Sequence, residues 1–289
     1  MVERVAVIGG GSMGIGIAHA FAAGATSVTI VDVDGERVKR ALAGVAGVFE
    51  RSVQRGAMTP GAALEAGARV GGGTSIEALP AGLDAIVEAV PEIVDLKRAV
   101  LARCATREPV LLATNTSGLS IDELAAGLPA PERFLGLHFF NPVWAMTLVE
   151  VVLGTQTSAA ARAGALAICE QLGKTSIVVR DAPGFASTRL GIALGLEAMR
   201  MVEDGVASPA DIDRAMELGY RHPMGPLKLT DLVGLDVRLD IARNLQRSYG
   251  DRYAPPQILI DMVAAGQLGK KSGRGFYDWS TGEARAIGP

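Results

Sequence analysis

The 289-residue chain contains only three histidines, His19, His138 and His222, so the search for a general base is short. His138 stands in the stretch GLHFFNP, near the end of a run that reads as a strand. Glu150 follows twelve residues later in a second such run. If Asn141-Pro142 turns the chain back, the two side chains meet. A carboxylate that accepts from one imidazole nitrogen fixes the tautomer, raises the basicity of the other nitrogen and stabilises the imidazolium once formed. That is the chemistry of reversible proton transfer at an oxygen. A buried structural ion pair is the competing reading, and it is the weaker one because the chain also carries a nucleotide-binding signature. His19, between alanines of a helical stretch, reads as a packed or solvent-facing residue. His222 precedes Pro223 in a Gly/Pro-rich turn and suits a loop contact.

The nucleotide signature opens the chain. An apolar, β-branched run, Val5 to Ile8, leads directly into Gly9-x-Gly11-x-x-Gly14 and then into Ala-rich helical sequence. In such a strand, turn and helix unit, Gly9 allows the tight turn and Gly11 lets the backbone approach a pyrophosphate. Gly14 lets helix and strand pack closely, with the phosphates at the helix N-terminus. With 36 glycines in the chain the pattern alone is weak, so its context must carry it. The context is a second β-branched run, Val28 to Val31, ending in Asp32, eighteen residues after Gly14. That is close to the ~20-residue offset of the acid that holds an adenosine ribose.

The elements that must position these groups alternate. Helical periodicity runs from Gly35 to about Gly56 through Val38, Leu42, Val45, Val48 and Phe49. A segment hard to assign then precedes a short strand near Arg69-Val70. Asp84 to Val90 reads as a buried parallel strand, Ile93 to Ala105 as a helix and Val110 to Ala113 as a strand. Ser120 and Glu123 form a capping box. Strands at Phe134 to Phe139 and Thr147 to Leu153, a helix over Ser158 to Leu172 and a strand over Ser176 to Val179 complete an α/β doubly wound sheet with an antiparallel edge. After Asp181-Ala182-Pro183-Gly184 the character turns helical. Residues 1–182 are therefore expected to form a Rossmann-type dinucleotide-binding domain and residues 183–289 a smaller all-helical domain. Helices are expected over Phe185 to Asp204, from Ser208-Pro209, from Pro226 to about Leu245 and from Pro256 to about Gly266, with Gly275 to Asp278 a possible strand. In the first of these, apolar residues cover much of the circumference, which points to a homodimer through this domain.

Composition excludes other classes. Apolar residues make up 49% of the chain, ample for buried cores, and a net charge of -3 disfavours nucleic acid or anionic membrane surfaces as partners. Cys104 and Cys169 lie far apart with no CxxC or Cys/His cluster, so neither a disulfide framework nor a metal site is expected. No apolar run approaches membrane-spanning length, and the first strand begins by about Arg4, leaving no room for a leader; the expectation is a cytoplasmic protein.

Taken together, VIGGGSMGIGIA, VEAVPEIVDLK, NTSGLS, GLHFFNP, LVEVV, DAPGF, HPMGPLKLTDLVGLD and SGRGFYDW closely resemble the short-chain L-3-hydroxyacyl-CoA dehydrogenase family over almost the whole chain. The resemblance implies NAD-dependent, reversible oxidation of a (3S)-3-hydroxyacyl-CoA, with 3-hydroxybutyryl-CoA the expected substrate. It implies His138 as general base and acid, Glu150 as its partner, and Ser117 as a hydrogen-bonding residue near the reacting oxygen and nicotinamide. For Ser117 the residues alone suit a turn after the strand equally well. Ala89, Glu92 and Lys97 match cofactor-contacting positions, and Asp32 the ribose ligand. The family also dimerises through its helical domain. One departure stands out. In PGFASTR, Thr188 occupies a substrate-contacting position where the family pattern has asparagine. Arg51 and Arg55 are candidate CoA-phosphate ligands but also suit a solvated helix face. The rival readings are a related dehydrogenase of a sugar acid or small 3-hydroxy acid, and a non-catalytic nucleotide-binding protein.

Overall fold

The apolar run that ends at the glycine turn forms the central strand β1 (Arg4–Ile8) in the computed structural model, which describes residues 1–287. The chain continues through α1 (Ser12–Ala23), β2 (Ser27–Val31), α2 (Gly35–Gln54), α3 (Pro60–Ala68), β3 (Val70–Gly73), β4 (Ala85–Glu88), α4 (Val94–Ala105) and β5 (Leu111–Thr114). It then forms α5 (Ile121–Ala125), β6 (Phe134–Phe139), β7 (Leu148–Leu153), α6 (Ala159–Gln171) and β8 (Thr175–Arg180). The strands make one sheet in the order β3-β2-β1-β4-β5-β6-β7-β8. Strand order reverses between β1 and β4, the place where open α/β sheets leave a crevice at the strands' C-terminal ends.

Helix starts follow side-chain chemistry. Asp34 accepts from the Arg37 N–H to cap α2, and Ser120 and Ser158 cap α5 and α6 in the same way. The segment that resisted assignment contains α3, whose signal is Thr59 as cap followed by Pro60 in the first turn. The sheet's antiparallel part is wider than an edge strand. β6 and β7 pair antiparallel and β7 pairs parallel with β8, so the last two strands both run against the other six. The core is aliphatic, built from residues such as Val7, Ile17, Phe21, Ile30, Leu135, Leu137 and Val151.

Contacts divide the chain into two units, Met1–Ala182 and the residues from Pro183 on. The second unit contains α7 (Ser187–Glu203), α8 (Pro209–Arg214), α9 (Pro226–Val233), α10 (Leu235–Tyr249) and α11 (Gln257–Ala264). Its helices are joined by a small antiparallel ribbon, β9 (Tyr277–Asp278) with β10 (Arg285–Ala286), beyond the helices read from the sequence. The helix expected from Pro226 to Leu245 is two helices. Gly234 has φ of 105°, a left-handed value that ends α9 and restarts the chain as α10. The apolar circumference of α7 is also partly explained from within, because Ile192, Leu196, Ala198 and Met199 are buried in this unit's own core while Leu190 stays 70% exposed. No helix among the described residues is long and apolar enough to cross a membrane.

Two buried carboxylates tie this unit together. Asp231 accepts from the Phe276 and Tyr277 backbone N–H groups at 2.9 and 2.8 Å and from Trp279 Nε1 at 2.8 Å. Asp213 accepts from the Leu227 and Lys228 N–H groups, each at 2.8 Å, and from Tyr277 Oη at 2.7 Å. Burial raises both carboxyl pKa values, and these donors oppose the shift. Asp231→Ala would orphan three buried donors at once. A loss of about 3–5 kcal/mol in a denaturant titration is expected, since an unsatisfied buried group costs about 1–3 kcal/mol and the three are coupled.

Candidate active site

The glycine turn forms as its spacing requires. Gly9 has φ of 105°, and a Cβ there would stand 2.7 Å from the Ala89 carbonyl oxygen; a Cβ on Gly14 would overlap the Gly9 carbonyl oxygen. Both glycines are therefore imposed by backbone contact. Gly11 is different, because a Cβ there would meet nothing within 4 Å. It borders open space at the N-terminus of α1, where no side chain caps the helix. A cradle of unblocked backbone at a helix N-terminus fits the pyrophosphate of a dinucleotide. Asp32, at the end of β2, accepts from the Gly10 N–H at 2.8 Å and the Val33 N–H at 2.7 Å. Its carboxylate thereby ties the glycine turn to the second strand. Arg37 Nη1 lies 4.0 Å from it, a neighbour that the strand-end reading missed because it enters from the first turn of α2.

A cleft of about 690 Å³ runs along these strand ends. Gly9, Gly11, Asp32, Ala89, Glu92, Ser117 and His138 all line it. Gly14, Lys97 and Glu150 stand behind that lining, and the latter two are fully buried. Thr188 lies in the first turn of α7, in the second unit.

His138 and Glu150 face each other across β6 and β7 in direct register, on either side of a turn containing the cis Asn141-Pro142 bond. Nδ1 of His138 is 2.7 Å from Oε2 of Glu150. An ionised carboxylate can only accept, so Nδ1 carries the proton and Nε2 is the nitrogen with a lone pair. Phe140 packs on the imidazole at 4.4 Å between ring centroids. Asn115, which the sequence did not single out, accepts from the Phe139 N–H at 2.9 Å and locks the end of β6 to the loop after β5. That loop carries Ser117. Its N–H and Oγ both donate to Glu92 Oε1, at 2.8 and 3.1 Å, and Thr116 Oγ1 donates to the same oxygen at 2.6 Å. Behind Glu92, Lys97 Nζ is 3.4 Å from Glu92 Oε2 and 2.9 Å from Glu88 Oε1. Glu88 too had no sequence signal beyond its place in an apolar strand.

The other two histidines, Cys104 and Arg55 do not line this cleft. His19 is buried against Phe49 at 4.4 Å with no hydrogen-bond partner on either ring nitrogen. Burial, and then the charges of Lys174 and Arg51, push its pKa down to about 4, so it packs as a neutral ring. His222 is a turn residue whose N–H donates to the Met216 carbonyl. Burial, with the Glu88 charge second, pushes the Cys104 thiol up to about 12, which removes it as a nucleophile at neutral pH. Arg55 stacks its guanidinium over Trp144 at 4.2 Å.

Both units of the chain match known proteins. Residues 4–182 match the family model of the 3-hydroxyacyl-CoA dehydrogenase NAD binding domain, and residues 184–279 match that of the 3-hydroxyacyl-CoA dehydrogenase C-terminal domain. A 3-hydroxybutyryl-CoA dehydrogenase of Bradyrhizobium diazoefficiens is 38% identical over 282 residues, 96% of each chain. The 3-hydroxyadipyl-CoA dehydrogenase of Escherichia coli is also 38% identical, over 99% of this chain and 61% of that one. Among solved structures, the (S)-3-hydroxybutyryl-CoA dehydrogenase of Ralstonia eutropha is 40% identical with a TM-score of 0.91, covering 96% of this chain and 99% of that one. With both domains matched in order and full-length relatives well above 30% identity, the chain belongs to the NAD-dependent 3-hydroxyacyl-CoA dehydrogenase family of oxidoreductases.

Proposed function

We propose that this chain catalyses the reversible oxidation of a (3S)-3-hydroxyacyl-CoA to the 3-oxoacyl-CoA, with a short acyl group such as 3-hydroxybutyryl, and that His138 and Glu150 form its proton-transfer dyad. The observation that carries the reading is the 2.7 Å contact between His138 Nδ1 and Glu150 Oε2 at the wall of the cleft that the glycine turn and Asp32 also line. NAD, when bound, accepts the hydride that leaves C3. Oxidation also requires that the C3 hydroxyl lose its proton, and His138 Nε2 takes it; in reduction the same nitrogen returns it. Glu150 keeps the ring in the tautomer that can do so and stabilises the imidazolium. The Ser117 N–H stays on Glu92, and its hydroxyl, by turning its one proton from Glu92 to the substrate, can donate a hydrogen bond to the reacting oxygen. Asp32, Ala89 and Glu92 hold the cofactor with the glycine turn, and Lys97, fully buried behind the lining, acts through Glu92 rather than by the direct contact the resemblance implies.

The test is an NADH-oxidation assay with acetoacetyl-CoA, a longer 3-oxoacyl-CoA and 3-oxoadipyl-CoA, since relatives of equal identity bear names with different acyl groups. Turnover is expected with acetoacetyl-CoA. Absence of turnover on every thioester by folded protein would sink the reading. His138→Gln should lower kcat by ~10²–10⁴, the worth of a positioned acid/base, with NADH binding nearly unchanged. Near-normal turnover in that variant would place the base elsewhere.

Thr188 is assigned to substrate positioning. A threonine hydroxyl offers one donor where the carboxamide of asparagine offers two, so Thr188→Asn should change kcat or KM for acetoacetyl-CoA by no more than roughly tenfold. A much larger gain would overturn the short-chain assignment and leave the reaction class intact.

We also propose a homodimer formed through the second unit. Support comes from apolar side chains left at the surface: Leu190 on α7, Leu229, Leu232 and Val233 on α9, and Val237 on α10. Burying such groups against a second copy removes them from water at about 25 cal/mol per Å². Light scattering at micromolar concentration should report twice the chain mass of 29.9 kDa; a monomer would refute the proposal. Finally, the two buried, unlinked thiols and the absence of any membrane-crossing helix among the described residues support a cytoplasmic location.

A further inference from the structure

Glu88, at the C-terminal end of β4, is fully buried, and its side chain does not line the cleft. Its carboxylate nevertheless gathers every donor around it. Lys97 Nζ donates to its two oxygens at 2.9 and 3.1 Å, and the Val90 N–H and Thr114 Oγ1 each donate at 2.6 Å. Lys97 is just as buried and also donates to the Val90 carbonyl at 3.2 Å. Its remaining ionic contact is Glu92 Oε2, at 3.4 Å. The other oxygen of Glu92 receives Thr116 Oγ1 and both donors of Ser117. One continuous run of charged contacts thus leads from the middle of the sheet to a hydroxyl at the cleft wall.

Stability alone does not account for this run. A buried ion pair costs so much desolvation that an apolar pair of similar volume serves a fold equally well or better. What an apolar pair could not do is hold Glu92. The Glu92 side chain is 40% exposed, so by itself it would sample several rotamers in water. An ammonium that is itself immobilised on three sides pins it in the one orientation that collects Ser117. We propose that Glu88 is a positioning residue for the reaction: acting through Lys97 and Glu92, it sets the Ser117 hydroxyl at the reacting oxygen. It touches no ligand and exchanges no proton. The inference deepens the dehydrogenase reading above and rests on it.

The experiment is a double-mutant cycle of Glu88→Gln and Ser117→Ala, followed by acetoacetyl-CoA reduction with NADH, with thermal melts recorded for each variant. Glu88→Gln should lower kcat about tenfold with a smaller rise in KM for NADH, because Glu92 is only one of the proposed cofactor contacts and the glycine turn and Asp32 are untouched. Ser117→Ala should lower kcat by a similar factor. The double variant should be no slower than the slower single one within about threefold, since residues acting as one unit are not additive. Losses that multiply in the double variant would mean that Glu88 merely supports the fold, and full turnover in Ser117→Ala would equally overturn the inference. Should Glu88→Gln fail to fold, Thr114→Val removes one 2.6 Å hydrogen bond to Glu88 and leaves the ion pair. It should lower kcat in the Ser117 background far more than in the Ser117→Ala background, and equal effects in the two would refute the proposal. Wild-type inactivity on every 3-oxoacyl-CoA would sink the reading of the site itself, whereas an active wild type with multiplying losses sinks only the role of Glu88.

Discussion

In the antiparallel pair of β6 and β7, His138 lies directly opposite Glu150, and the site depends on that register. Both strands are buried over most of their length, so their pairing is held by aliphatic side chains on both faces of the sheet. A slip of one residue would turn Glu150 to the opposite face and bury a carboxylate on the side of Leu137 and Phe139 without a donor. The desolvation of that charge therefore penalises the wrong register as strongly as the hydrogen bond favours the right one. The strand reversal also matters. Had β7 run parallel, a long crossover would have been needed, and twelve residues could not have returned Glu150 to His138.

The opposite wall of the cleft meets a similar constraint with a larger network. Glycine brings the turn after β1 so close to Ala89 that the ends of β1 and β4 are in backbone contact. Glu88, the last residue of β4, is fully buried. A carboxylate there must find its partners inside the protein, and Glu88 finds them in Lys97, Thr114 and the Val90 N–H. The cleft is thus backed on both sides by buried polar groups that have partners inside the protein. Each has its geometry fixed by packing, which is what preorganised chemistry requires.

The second unit uses buried carboxylates differently. Asp213 and Asp231 accept from backbone N–H groups and from aromatic donors of the segment Phe276 to Trp279, and so tie the end of the chain onto the helices. Gly275 is required for this closure, because a Cβ there would overlap the Asp231 carboxylate. Small helices with limited apolar area gain from such anchors what the eight-stranded sheet obtains from aliphatic packing.

By itself the sequence determined what local chemistry can dictate. The glycine turn, Asp32 at the end of β2, the cap at Ser120 and the alternation of strand and helix up to β8 follow from residue type and short-range spacing, and they appear in the structure as read. The proximity of His138 and Glu150 was legible because only one turn separates them. Long-range consequences were not. The break at Gly234 escaped a helical pattern that continues unbroken on both sides, since periodicity does not report φ. The two-strand width of the antiparallel segment, the approach of Arg37 to Asp32 and the lock from Asn115 to Phe139 all join elements distant in sequence. Glu88 is the clearest case. In the sequence it is one polar residue inside an apolar strand; only the tertiary structure supplies Lys97 and Thr114, because their meeting depends on how α4 and β5 pack against β4 rather than on any spacing along the chain.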